Sequence, residues 1–114
     1  MDLTPSALVN ATRRWRRRPR ARYARVVEAR SRENLPAALH PRRIYLVGSP
    51  TKWAVLECPC GRGHQIQLNM AHAGRPRWSL THDARGRPSL SPSVDVLAEQ
   101  RCHFWLRQGA THWV

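Results

Sequence analysis

Apolar positions change their rhythm about a third of the way along the chain. Near the start, Leu8, Ala11, Thr12 and Trp15 recur at i, i+3, i+4 and i+7, the spacing of one helical face. Thr4 suits an N-cap, Pro5 suits the first helical position, and Pro19 stops or kinks the helix. A second helical stretch is predicted over about 20–33, with Ala21, Ala24, Val27 and Glu28 on one side. Beyond Pro36 and Pro41 the runs become short and strand-like. Ile44-Tyr45-Leu46-Val47 and Trp53 to Glu57 flank the turn cluster Gly48-Ser49-Pro50-Thr51. Gln65 to Leu68 alternates polar and apolar, and Trp78-Ser79-Leu80 is a weaker strand. Cys102 to Arg107 and Ala110 to Val114, joined by Gln108-Gly109, predict a closing hairpin. The fold class expected is therefore α+β: one or two basic N-terminal helices, then a small antiparallel, β-rich domain. The division is 1–35, an arginine-rich helical arm, and 36–114, a β-rich Cys/His domain.

Charge sharpens that division. The 114 residues carry 20 Lys and Arg against 7 Asp and Glu, a formal net charge of +13. Residues 1–43 hold twelve of the arginines against Asp2, Glu28 and Glu33. Arg13, Arg14, Arg16, Arg17, Arg18, Arg20, Arg22 and Arg25 cluster around Trp15 and Tyr23. Such a block releases counterions from a phosphate backbone, and an aromatic ring among the arginines stacks on an unpaired base. It predicts sequence-tolerant nucleic-acid binding. An acidic protein partner and a merely solvated terminus are the alternatives. No run of about 18 apolar residues is present, which excludes a membrane-spanning helix. The amino end lacks a signal peptide's basic start and apolar middle, so a cytoplasmic location is expected.

Three cysteines in a reducing compartment argue against a disulfide framework. Cys58-Pro59-Cys60-Gly61-Arg62-Gly63-His64 lies between two predicted strands, where a Pro/Gly turn can aim two thiolates at one point. Zinc takes four Cys or His ligands. A site of Cys58, Cys60, His64 and Cys102 would tie this turn to the C-terminal hairpin. His103 is the alternative fourth ligand, but neighbouring strand residues face opposite ways, so Cys102 as ligand turns His103 away. The competing readings are buried free thiols, or a disulfide.

Ile44-Tyr45-Leu46, the Cys-Pro-Cys-Gly turn, Trp78-Ser79-Leu80, Ser89-Leu90-Ser91-Pro92-Ser93-Val94 and His103 through Gly109 with Trp113 occur in that order. This order resembles a small bacterial and phage family of unknown function, over roughly residues 36–114. Its pattern includes a Cys-x-Cys-Gly-Cys-Gly turn, a Ser-Leu-x-Pro-Ser-Ile loop and a Cys-x-Ser-His-Tyr-x-Ile hairpin. Some members lie beside genes for bacterial ubiquitin-like conjugation. The chain departs from the pattern at three points. The third turn cysteine falls on Arg62, the hairpin cysteine falls on Gln100, and the serine before the histidine falls on Cys102. The metal site is then either shifted onto His64 and Cys102, or lost.

The gene neighbourhood implied by the resemblance suggests a peptidase or transferase acting on a ubiquitin-like conjugate. Cys102 is the candidate nucleophile, with His82, His103 or His112 as base and Asp83 or Asp95 to orient it. Of these, His112, on the paired hairpin strand, is best placed to approach Cys102. Ser91 and Ser93 supply further hydroxyls in the Pro-Ser loop. The leading expectation, however, is a binding module. In it a structural Zn2+ clips the β domain, the arm engages nucleic acid or another polyanion, and Trp53, Trp78, Trp105 and Trp113 either meet a partner or fill the core.

Overall fold

The computed structural model describes residues 22–71, 73–97 and 100–114. They form two four-stranded sheets. The first holds β1 (Arg25–Ala29), β2 (Arg43–Val47), β3 (Trp53–Glu57) and β4 (Gln65–Asn69) in that order. The second holds β5 (Ser79–His82), β6 (Pro88–Leu97), β7 (Arg101–Arg107) and β8 (Ala110–Trp113), also in chain order. Every pairing is antiparallel except β1 with β2, which is parallel. Among the described residues no helix is long and apolar enough to cross a membrane.

The sheets face each other across a shared core. Ile44, Ala54, Leu56, Ile66 and Leu68 from the first sheet meet Leu90, Val94, Phe104 and Leu106 from the second. The alternation that predicted the strands sends these residues inward while their neighbours face out. Phe104 and Trp113 meet edge to face with ring centroids 5.6 Å apart. The outer face of the first sheet carries a smaller cluster of Leu39, Tyr45, Val47 and Val55, joined by Val27, Leu35 and Trp53.

The α+β expectation is corrected: the described residues are almost wholly β. The only helical piece among them is one 3-10 turn at Arg32–Asn34. The first expected helix lies outside the described residues. The second is replaced in part by β1. Val26 and Val27 are β-branched, and pairing with Ile44 and Tyr45 of β2 outweighs the weak helical spacing of the alanines. Tyr23 is drawn into the core as well. Its amide donates to Gly109 O at 2.7 Å and its hydroxyl to Glu57 O at 2.6 Å, so it links the two sheets. Burial, with the nearby Cys58, Glu57 and Cys60, pushes the phenol well above its ordinary pKa, so it stays a donor. Tyr23→Phe strands the Glu57 carbonyl and is expected to cost about 1–2 kcal/mol. The check is a lower denaturant midpoint with an unchanged slope.

β6 is the second departure. The Ser89–Val94 segment, which the family resemblance implied to be a loop, lies within the longest strand. Pro92 falls where the β6–β7 register shifts between Leu90 and Val94, at an irregularity where a missing amide is tolerated.

Candidate functional site

The site occupies the two faces of β7. On the inner face, Cys102 meets the β3–β4 turn. The Cys58 amide donates to His64 O at 2.9 Å and the Gly61 amide to Cys58 O at 3.2 Å, which folds the turn back on itself. Gly61 and Gly63 make this possible, with φ of 79° and 88° in the left-handed region. One donor atom from each of Cys58, Cys60, His64 and Cys102 lies within 4.8 Å of the others. The Cys60 sulfur is 3.8 Å from both ring nitrogens of His64. Tetrahedral zinc with thiolate ligands needs separations of about 3.8 Å, so the donor set fits after a contraction of under about 1 Å.

Cys58 and Cys102 are buried, at 2% and 3% exposure, and Cys60 is half-buried. Burial pushes the Cys58 thiol well above its ordinary pKa; the Cys60 backbone hydrogen bond opposes this, and side-chain hydrogen bonds with Cys60 and Cys102 add to it. Three thiols and an imidazole in one apolar corner are a donor set suited to a soft or borderline cation. The four residues expected from the spacing are thus the four brought together. Cys102 stands with its sulfur in this cluster, while His112, opposite Trp105, lies on the exposed face. The expected Cys102–His112 arrangement is therefore not formed.

On the outer face, the Ser93 hydroxyl and His103 Nε2 lie 3.0 Å apart. Ser93 follows Pro92 in the register irregularity, which feeds extra β6 residues against β7 and brings the hydroxyl over the imidazole. Trp78 Nε1 donates to the Ser93 carbonyl at 3.3 Å, which holds the backbone under the hydroxyl. Both Ser93 and His103 are half-buried. Asp95 lies directly across from His103 in the strand register. Both of its carboxylate oxygens are engaged by Arg101, at 2.9 and 2.7 Å. The Arg101 hydrogen bonds, with the charge of Arg101, hold this carboxyl below its ordinary pKa. The Asp95–Arg101 ion pair thus lies beside the serine–histidine contact on the same face of the sheet.

The other expected residues are dispersed. Asp83 organises the β5–β6 turn by accepting from the Arg85 and Arg87 amides and from Arg87 Nε. His82 and Ser91 are exposed on β5 and β6. Trp78 and Trp113 pack against the main core and Trp53 against the smaller cluster. Trp105 is half-buried two residues beyond His103, with the Arg107 guanidinium 4.7 Å from its ring centroid. Arg13, Arg14, Arg16, Arg17, Arg18 and Arg20 lie outside the described residues. Arg22 and Arg25 are exposed, Arg22 bridging to Ala110 and Arg25 beginning β1. The pairing of Ser93 with His103 was missed, although both positions were candidates. Alternation around buried Val94 and Cys102 places both on the outer face, and only the cross-strand register joins them.

Two antiparallel-rich sheets with a hydroxyl–imidazole pair outside and a Cys/His cluster inside define a small two-sheet β protein. Residues 31–114 match the family described as bacterial ubiquitination-like system serine protease (BubE), and the chain belongs to that family. No curated protein and no solved structure matches it.

Proposed function

We propose that this chain is a serine peptidase of a bacterial ubiquitination-like system, with Ser93 as nucleophile and His103 as general base. The observation that carries the reading is the 3.0 Å contact between Ser93 Oγ and His103 Nε2. In the first step Nε2 takes the hydroxyl proton while Oγ bonds to the carbonyl carbon of a peptide or isopeptide bond. The tetrahedral intermediate collapses, the C–N bond breaks, and the amine leaves with the proton from Nε2. Water, deprotonated by the same nitrogen, then attacks the acyl ester and frees the acid and Ser93. Cys102 is not the nucleophile in this scheme, because its sulfur belongs to the inner cluster.

Zinc held by Cys58, Cys60, His64 and Cys102 would supply a structural cross-link, since all four positions of a closed site are protein ligands. Cys102 directly precedes His103, so anchoring one fixes the backbone that carries the other. The nucleic-acid reading has no support from the site or the family.

A fluorophosphonate probe tests the proposal. Covalent labelling mapped by peptide mass spectrometry is expected at Ser93 and to vanish in His103→Ala. Labelling at another serine, or no labelling of the folded protein, would refute it.

A further inference from the structure

We infer that the open edge of β6 beyond Ser93 is the docking rail for substrate, taking an extended polypeptide segment as an added strand. The inference rests on the peptidase reading above and specifies how that site holds its substrate.

β6 is flanked by β5 only over Pro88 to Ser91, whereas β7 accompanies it as far as Leu97. Among the described residues, no strand pairs with the other side of β6 from Ser93 to Leu97. The direction of the backbone groups there follows from alternation. The His103 carbonyl accepts from the Val114 amide at 2.9 Å, so the backbone of His103 faces β8 and that of Phe104 faces β6. Val94, opposite Phe104, and Val96, opposite Cys102, therefore spend their backbone groups on β7. Ser93, Asp95 and Leu97 point theirs the other way. The Trp78 indole reaching the Ser93 carbonyl from the β5 side agrees with this direction. Among the described residues no strand takes up the Asp95 N–H and C=O or the Leu97 N–H, which form a ladder directly following the nucleophile.

Edge strands are usually blunted by charge, proline or a covering element. Here Pro92 lies before Ser93 and the Asp95 charge is paired with Arg101, while the edge ends on Leu97, a large apolar side chain that is 81% exposed. By alternation Leu97 shares the outer face with Ser93 and Asp95. A main-chain ladder with an apolar contact on the catalytic face is the chemistry that recognises an extended peptide largely through its backbone. A folded loop or a helix cannot use it. The occupant is thus an extended, backbone-accessible stretch of the substrate polypeptide, with the scissile bond over Ser93 and the adjoining residues along Asp95 to Leu97.

Leu97→Pro deletes one ladder donor, and proline is tolerated on an edge whose N–H makes no internal bond. Leu97→Ala removes the side chain alone. The substrates are a small aryl acetate ester and the best-cleaved member of a quenched-fluorescent hexapeptide library. In Leu97→Pro, kcat/KM for the hexapeptide is expected to fall about tenfold further than that for the ester, and in Leu97→Ala by less than about threefold. Single N-methyl groups along the hexapeptide, assayed with the unaltered protein, are expected to impair cleavage at every second position, a readout independent of variant folding. Equal losses on both substrates together with N-methylation tolerated at every position would overturn the rail while leaving the peptidase intact. Ester hydrolysis that survives Ser93→Ala would overturn both.

Discussion

Ser93→Ala is expected to lower kcat/KM for peptide hydrolysis by about 10³-fold or more, with the melting temperature nearly unchanged. The size follows from the chemistry: without the hydroxyl no acyl-enzyme forms, and what remains is substrate binding beside an imidazole. Stability is spared because Ser93 is half-buried and only its contact with His103 is lost. His103→Ala is expected to cost a similar factor, since Oγ then has no proton acceptor within reach. The two losses should not add. A double variant no worse than either single one is the signature of groups acting as a unit. Steady-state kinetics on the three variants, with circular dichroism to show retained fold, are the check. Near-full activity in Ser93→Ala would remove the serine mechanism, and multiplicative losses would mean that the two residues act separately.

Metal removal is expected to have the largest effect on stability. The purified protein should carry about one zinc per chain. A high-affinity chelator should lower the melting temperature by roughly 15 °C or more, from the loss of about 4 kcal/mol of linked binding energy at a thousandfold excess over Kd. The same fall is expected in Cys58→Ser and Cys102→Ser, because each removes one of the four convergent donors. Activity should decline with the metal, since Cys102 and His103 are consecutive on β7. A protein free of metal after growth in zinc, with a melting curve indifferent to chelator, would refute the site. Rapid modification of Cys102 by a thiol reagent in the zinc-loaded protein would argue the same way, because a coordinated and buried thiolate reacts slowly.

The strands legible in the sequence were those with short apolar or alternating runs between turn residues. Trp53 to Glu57 appears with the same bounds, and β2, β4, β7 and β8 lie within a residue or so of their predicted spans. The Cys/His cluster was legible too, because thiols and imidazole are few and a Pro/Gly turn brings two of them to one point. Single-strand alternation even separated the two chemistries of β7, with Cys102 turned in and His103 turned out. Where the readings failed, local and long-range signals disagreed. Alanines and arginines around Val26 and Val27 read as helix until β2 offered them a partner, and the family pattern implied a loop at Ser89–Val94.

Residue chemistry and period alone therefore determined strands β2, β3, β4, β7 and β8, the Cys/His cluster, and which face each residue of β7 presents. Only the tertiary structure decided that β1 is a strand, that β6 runs through its prolines, and that Ser93 meets His103. The reason is physical: a periodicity states which way a side chain points. The partner it meets depends on the register between strands, and here an irregularity between Leu90 and Val94 sets that register.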